Sequence, residues 1–313
     1  MQFAVQRSIE RLPSRDPQLA NDLIDASLAT ATHRNYQSAL ARFHDWLGDR
    51  ETSDESIAEY IAHIHACGRS VSVARMFVSA LRFFARWHGL ADPIGKRANF
   101  ALRGFSRTAM DRGRGQVSSL GWDDMERICE SLGDTNQELR DTAIMGIMSD
   151  GLLRISEVSA IDCQDLKRQS DGSGRLTIVS SKTDQEGIGV VVYIGAPTMQ
   201  KVQRWKQAVN IEHGKLFRPL RKNGAIAGDL LGSRSVGDML KKRARDIGIE
   251  GVAGHSLRIG STEDLVQAGA SLVELQLAGR WSSPKMPAYY ARSHLASQGA
   301  VAKFKYGKKE TRD

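Results

Sequence analysis

Apolar side chains recur every three to four residues through most of the chain. From Ser27 to Arg50, residues Leu28, Tyr36, Leu40, Phe43, Trp46 and Leu47 fall on one stripe, with Ser27, Thr30 or Thr32 available as caps. A second helical pattern follows Asp54 and turns Ile57, Tyr60, Ile61 and Ile64 inward. A third, from about Ser72 to Gly89, carries Val73, Phe77, Leu81 and Phe84, with Arg75, Arg82 and Arg86 on its more polar side. These spans predict a small all-helical domain. Its arginine face is either solvated surface or a row of phosphate contacts, and the pattern alone leaves both readings open.

The pattern changes after Lys96. Between Lys96 and Gly115, Lys96, Arg97, Arg103, Arg107, Arg112 and Arg114 face the single acid Asp111 among several glycines. This stretch reads as an extended basic linker, serving as a tether or lying along a phosphate backbone. Helical spacing resumes at Ser119, with one helix over Leu120 to Leu132 and a more buried one over Leu139 to Ser149. Leu176, Ile178 and Val190 to Ile194 are β-rich and flank a polar stretch from Ser180 to Gly189, which predicts two strands joined by a loop. Arg234 to Arg245 is a short, very basic helix with Val236, Met239 and Leu240 inside. The expected organisation is a flexible arm over 1–22, a helical domain over 23–112, a linker over 113–118 and a second, mostly helical domain with a small sheet over 119–313.

Composition narrows the class. A chain of 313 residues suits two domains, and 41% hydrophobic with 26% charged residues describes a folded protein. The formal charge of +8 favours a polyanionic partner, since Lys and Arg on phosphates release counterions; a merely basic protein is the bland alternative. No stretch approaches the roughly 20 apolar residues that span a bilayer. Met1 to Gln18 mixes charge and Pro, unlike a secretory signal. Cys67, Cys129 and Cys163 are odd in number and widely spaced, which predicts free thiols and a cytoplasmic location. His63, His65 and Cys67 suggest a metal site at first glance, but residues two apart on a helix do not share a face. Neither metal nor cofactor is expected, and neither membrane nor small-molecule substrate.

Three segments carry the chemistry: Gly151-Leu-Leu-Arg154-Ile-Ser-Glu157, Gly254-His255-Ser-Leu-Arg258, and Gly279-Arg-Trp281 through Tyr289-Tyr290. Arg154 follows the apolar Ile144, Ile147, Leu152 and Leu153, so its guanidinium is either partnered by Glu157 or aimed at an anion. His255 and Arg258 share a helix face and either brace a core or hold an oxyanion. The order Arg, Lys in a β-loop, His-x-x-Arg, Trp, Tyr is far more specific than its parts. In it the chain resembles the tyrosine recombinase family, and within that the Cre-type phage enzymes, over about residues 25 to 306.

The resemblance implies a mainly α protein: a helical, SAM-like core-binding domain and a mixed catalytic domain, closing as a C-shaped clamp on DNA. It implies that Arg154 and Arg258 hold the non-bridging oxygens of a scissile phosphate, where two forked, permanent charges suit a phosphorane-like transition state. It implies that His255 bonds the phosphate and handles the tyrosine proton, that Lys182 protonates the departing 5′-oxygen, and that Glu157 buttresses Arg154. Trp281 stands where many members carry His; its indole N–H can donate but cannot shuttle protons, and plain core packing is the alternative. Tyr290 rather than Tyr289 matches the nucleophile, nine residues after Trp281. Arg234 matches a base-reading arginine, Lys241, Lys242 and Arg243 look like phosphate contacts, and residues about 295–306 match a helix handed to a neighbouring protomer. The implied activity is site-specific recombination of paired, short inverted-repeat sites in duplex DNA by a homotetramer, through a 3′-phosphotyrosyl intermediate and a Holliday junction, in a bacterial or phage-encoded, nucleoid-associated setting. A type IB-like topoisomerase and a DNA-binding protein without catalysis are the alternatives.

Overall fold

The computed structural model describes residues 23, 27–109, 117–179, 189–290 and 292. The arm expected over 1–22, linker residues 113–116, the loop holding Lys182 and the exchange segment over 295–306 lie outside the described residues. The chain divides into two compact units, 1–115 and 116–313.

In the first unit, α1 (Thr30–Leu47) packs on α3 (Val71–Trp87), and α2 (Asp54–Ala66) packs on α4 (Lys96–Thr108). Phe43, Tyr60 and Phe77 form its centre, with ring centroids 4.8 to 5.0 Å apart. The tilted and edge-on geometry is the one that aromatic quadrupoles favour. Helix α4 corrects the linker expected from Lys96. Its apolar residues Ala98, Leu102, Phe105 and Ala109 follow helical spacing and pack into the core, while Lys96, Arg97, Arg103 and Arg107 stay exposed. The dense positive charge obscured that stripe. Asp54 sets where α4 begins: its carboxylate accepts the backbone N–H groups of Gly95, Arg97 and Ala98 at 2.8 to 3.0 Å, which serves donors that a helix start leaves unpaired.

The second unit is built around α6 (Asn136–Asp150), which is buried on nearly every side from Leu139 to Ser149. A helix covered all round belongs in the middle of a core, and its buried Arg140 and Asp141 are paired there. Against it pack α8 (Ala196–Ala208) and α10 (Ser256–Gln267). Helix α5 (Trp122–Glu130) is joined to α10 at its start, where the Trp122 N–H donates to Asp264 at 2.7 Å. A Cβ on Gly260 would come within 1.9 Å of the Leu120 carbonyl oxygen, so only glycine lets that strand of chain lie on α10. The sheet has three antiparallel strands in the order β1 (Leu166–Arg168), β2 (Gly174–Ile178), β3 (Val190–Ile194). Leu176 pairs with Val192 and Ile178 with Val190, so Leu176, Ile178 and Ile194 face the core while Arg175, Val191 and Tyr193 face out. Three-residue β1 was not legible in sequence, being too short to display alternation.

Helix α9 (Ser233–Asp246) buries Val236, Met239 and Leu240 as the spacing predicts. It also corrects the reading of Arg243, which is 5% exposed and points inward rather than toward a phosphate. Position 243 continues the stripe of 236, 239 and 240, and Asp141 on α6 receives it. Arg243 Nε and Nη2 donate to one oxygen of Asp141 at 3.0 and 2.7 Å, and Arg140 Nε and Nη2 donate to the other at 3.2 and 2.9 Å. Removing the carboxylate would strand two buried guanidiniums. We predict that Asp141→Ala costs about 3–5 kcal/mol in urea unfolding, and a loss under about 1 kcal/mol would contradict a buried three-part clamp.

Candidate active site

Helix α6 ends where Gly151 N–H bonds back to the Ile147 carbonyl at 3.1 Å. Leu152 then adopts a left-handed backbone, φ 47°, which costs a side-chain-bearing residue roughly 1–2 kcal/mol. Its carbonyl accepts from two arginines, Arg258 Nη1 at 2.5 Å and Arg280 Nη2 at 3.2 Å. Two residues on, Arg154 caps α7 (Ile155–Ala160). Glu157, at the capping-box position, accepts the Arg154 backbone N–H at 2.9 Å on Oε2 and Arg154 Nη1 at 2.6 Å on Oε1. One short stretch thus positions Arg154, Glu157 and an acceptor for two further cations.

His255 lies at the start of α10 and Arg258 one turn in, so helix geometry puts both at one end. His255 is exposed, whereas Arg258 is 2% exposed and also donates to the Gly279 carbonyl. Helix α11 (Leu272–Gly279) terminates in Arg280, whose φ of 55° is again left-handed. Trp281 then folds back against the helix end. A Cβ on Gly279 would meet the indole at 2.0 Å, so this approach requires glycine. The Arg258 guanidinium lies over the indole, 4.4 Å from its centroid, a cation–π contact. Tyr290, in α12 (Lys285–Tyr290), sets its ring 6.0 Å from that of Trp281. Tyr290 is half-buried; Tyr289 is exposed and has the Arg292 guanidinium 4.3 Å over its ring.

Arg154, Glu157, His255, Arg258, Trp281 and Tyr290, scattered over 137 positions in sequence, therefore share one surface of the second unit, although Lys182 lies outside the described residues. Sequence reasoning passed over Arg280, which is 8% exposed and donates to Glu157 Oε2 at 2.9 Å and to the Gly151 carbonyl at 2.8 Å. Its only signal was its place between Gly279 and Trp281. The residues expected to contact DNA stand elsewhere. On α9, Arg234, Lys241 and Lys242 are exposed, with Lys241 3.3 Å from Asp238. On α3, Arg75 donates to Ser106 at 3.3 Å, Arg82 pairs with Asp92 at 3.0 Å, and Arg86 is exposed.

Three guanidiniums against one carboxylate leave the site with excess positive charge. Burial, then the charges of Arg154 and Arg280, push the Arg258 pKa down to about 9, with Glu157 and Tyr290 opposing; the group remains charged at neutral pH. Burial works to raise the Glu157 pKa but is outweighed by the Arg154 N–H and the charges of Arg280 and Arg154, so it stays ionised. Although His255 keeps access to solvent, partial desolvation by the protein around its ring, then the charges of Arg258 and Arg154, lower its pKa. Such a surface binds an oxyanion, and a phenol beside it can attack one.

Comparison with known proteins gives the class first. Residues 119–296, more than half the chain, match the Phage integrase family, and the relatives below place the enzyme among tyrosine-type site-specific DNA recombinases. The chain belongs to the Phage integrase family. It is 26% identical over 269 residues to the recombinase Cre of Escherichia phage P1, covering 80% of this chain and 78% of that one. It is also 26% identical over 287 residues to an integrase/recombinase XerD homolog of Selenomonas ruminantium, covering 84% and 82%. A crystal structure of the XerH site-specific recombinase, in a post-cleavage complex with palindromic difH substrate, shares the fold with a TM-score of 0.65 at 16% identity, covering 87% of this chain and 79% of that one. Among the described residues no helix is long and apolar enough to cross a membrane, and the three cysteines are free thiols.

The lowered His255 pKa has a definite sign. The neutral imidazole is favoured in the folded protein, so the contribution to stability is complete above the ordinary value of 6.5 and is lost as pH falls through the lower folded value. NMR titration of the DNA-free protein is expected to give a midpoint below 6.5 that rises in an Arg154→Ala variant; a midpoint above 6.5 would contradict the charge arrangement.

Proposed function

We propose that this protein cuts and exchanges DNA strands one at a time at paired, short inverted-repeat sites, with Tyr290 as the nucleophile. The observation that carries this is the convergence of Arg154, Arg258 and His255 with Tyr290 on one positively charged surface. Arg154 and Arg258 hold the non-bridging oxygens of the scissile phosphate, and His255 adds a hydrogen bond and receives the phenol proton. The Tyr290 oxygen bonds to phosphorus as the bond to the 5′-oxygen breaks, and Lys182 supplies the leaving oxygen with its proton. The 3′-phosphotyrosyl bond conserves the phosphodiester energy, so a free 5′-hydroxyl from the partner duplex reverses the step and yields a Holliday junction. Trp281 braces Arg258 and donates its N–H to the phosphate.

In the same reading, Arg234 contacts base edges from the first turn of α9, and Lys241 and Lys242 contact flanking phosphates. Arg75, Arg82 and Arg86 serve the backbone from the first unit; Arg82 must exchange Asp92 for phosphate, a small cost for an exposed pair. Four protomers assemble on two sites, each passing its C-terminal segment to the next, a head-to-tail contact that closes as a ring.

Nicked duplexes drawn from a randomised pool, which lose a short fragment on cleavage, are expected to trap the wild-type protein covalently. Tyr290→Phe should lower adduct formation on the order of a thousandfold or more while Tyr289→Phe retains it. The reverse outcome would move the nucleophile to position 289, and relaxation of supercoiled DNA without paired sites would favour a topoisomerase. Truncation after Ser293 should leave DNA binding and abolish larger assemblies; tetrameric synapses of the truncated protein would refute the exchange.

A further inference from the structure

We infer that Arg280 is a positioning residue for strand cleavage: by occupying one oxygen of Glu157, it prevents that carboxylate from closing a two-pronged fork on Arg154. This rests on the reading of the site given above. A guanidinium and a carboxylate in contact favour two parallel hydrogen bonds. Here Arg154 makes only one with its side chain, Nη1 to Oε1 at 2.6 Å. The other oxygen, Oε2, is taken by the Arg154 backbone N–H and by Arg280 Nη2, each at 2.9 Å. Glu157 is 5% exposed, so no bulk water competes for it. Whichever cation holds Oε2 decides how much of the Arg154 guanidinium is left for a phosphate.

Arg280 differs from Arg258 in that its charge is already paired with a carboxylate, Glu157, at 2.9 Å. Its guanidinium is committed to the carbonyls of Gly151, Ala278 and Leu152 as well as to Glu157, and it is 8% exposed. Its backbone is left-handed, and its Nε is buried without a hydrogen-bond partner among the described residues. Both are unfavourable locally, so the contacts of the two terminal nitrogens must dictate the pose. Arg280 also precedes Trp281 and the segment that ends in Tyr290. One side chain thus ties the start of the segment that leads to Tyr290 to the carboxylate that holds Arg154.

The test uses full-length protein and the nicked DNA selected above, with single-turnover rates at saturating DNA normalised to the folded fraction. Arg280→Met is expected to slow covalent adduct formation by roughly tenfold to a hundredfold, because Arg154 becomes sequestered. Arg280→Lys, which still offers a cation to Oε2, should recover part of the rate. The double variant Arg280→Met, Glu157→Gln should be faster than Arg280→Met alone, since an amide cannot sequester a guanidinium as a carboxylate does. A double variant no faster than Arg280→Met would overturn the inference and reduce Arg280 to packing. Inorganic phosphate, followed at the Arg154 side-chain N–H by NMR, separates this from the reading of function. Without any adduct from wild type, the recombinase reading fails, yet weaker phosphate binding in Arg280→Met that Glu157→Gln restores would still uphold the role of Arg280. Unchanged phosphate binding in Arg280→Met would refute it.

Discussion

A buried guanidinium needs partners for its donors, and in the second unit main-chain carbonyls provide them. The Leu152 carbonyl accepts from both Arg258 and Arg280, and the Gly151 and Gly279 carbonyls take one donor each. Neutral acceptors satisfy hydrogen bonds without cancelling charge, so Arg258 is held in place and keeps its field, whereas Arg280 also meets the Glu157 carboxylate. That arrangement depends on the left-handed turn at Leu152, which aims its oxygen at the two side chains. With a carbonyl turned elsewhere, Arg258 would lose an anchor and the Trp281 indole the cation it stacks on.

The same unit offers an internal contrast. At Asp141, two arginines meet one aspartate whose oxygens each receive a pair of donors, and all three residues are buried. That cluster is closed: it joins α6 to α9 and offers nothing to a ligand. Around Glu157 the carboxylate is divided between Arg154 and Arg280, while among the described residues Arg258 donates to the Leu152 and Gly279 carbonyls, and Arg154 and His255 reach solvent. Similar residue types therefore do opposite work, depending on whether acid and base are balanced locally and whether water can enter. The closed cluster has its charges paired internally; the open one keeps excess positive charge beside solvent.

Both units place their apolar stripes where helical spacing put them, because the period of a helix is a local property that survives in the sequence. Errors arose where a second signal overlay that period. Over Lys96 to Arg114, six basic residues, four of them in α4, concealed the stripe of Ala98, Leu102, Phe105 and the capping Ala109. In α9, Arg243 looked like one more basic residue beside Lys241 and Lys242, although its position continued the inner face. Charge along a chain does not reveal which face a residue occupies or whether a buried acid, here Asp141 a hundred positions earlier, will receive it.

The amino-acid order by itself determined the mainly helical class, the hairpin position, and the ordered set of Arg154, His255, Arg258, Trp281 and Tyr290 that carries the family likeness. Only the tertiary structure decided which of the many arginines are buried and what they pair with. Arg280 joined the site, Arg243 left the surface, and α4 became part of a core, because each outcome depends on a partner distant in sequence: Glu157, Asp141 and Asp54. Periodicity is written within a few residues, whereas a buried charge is defined by what folding brings next to it.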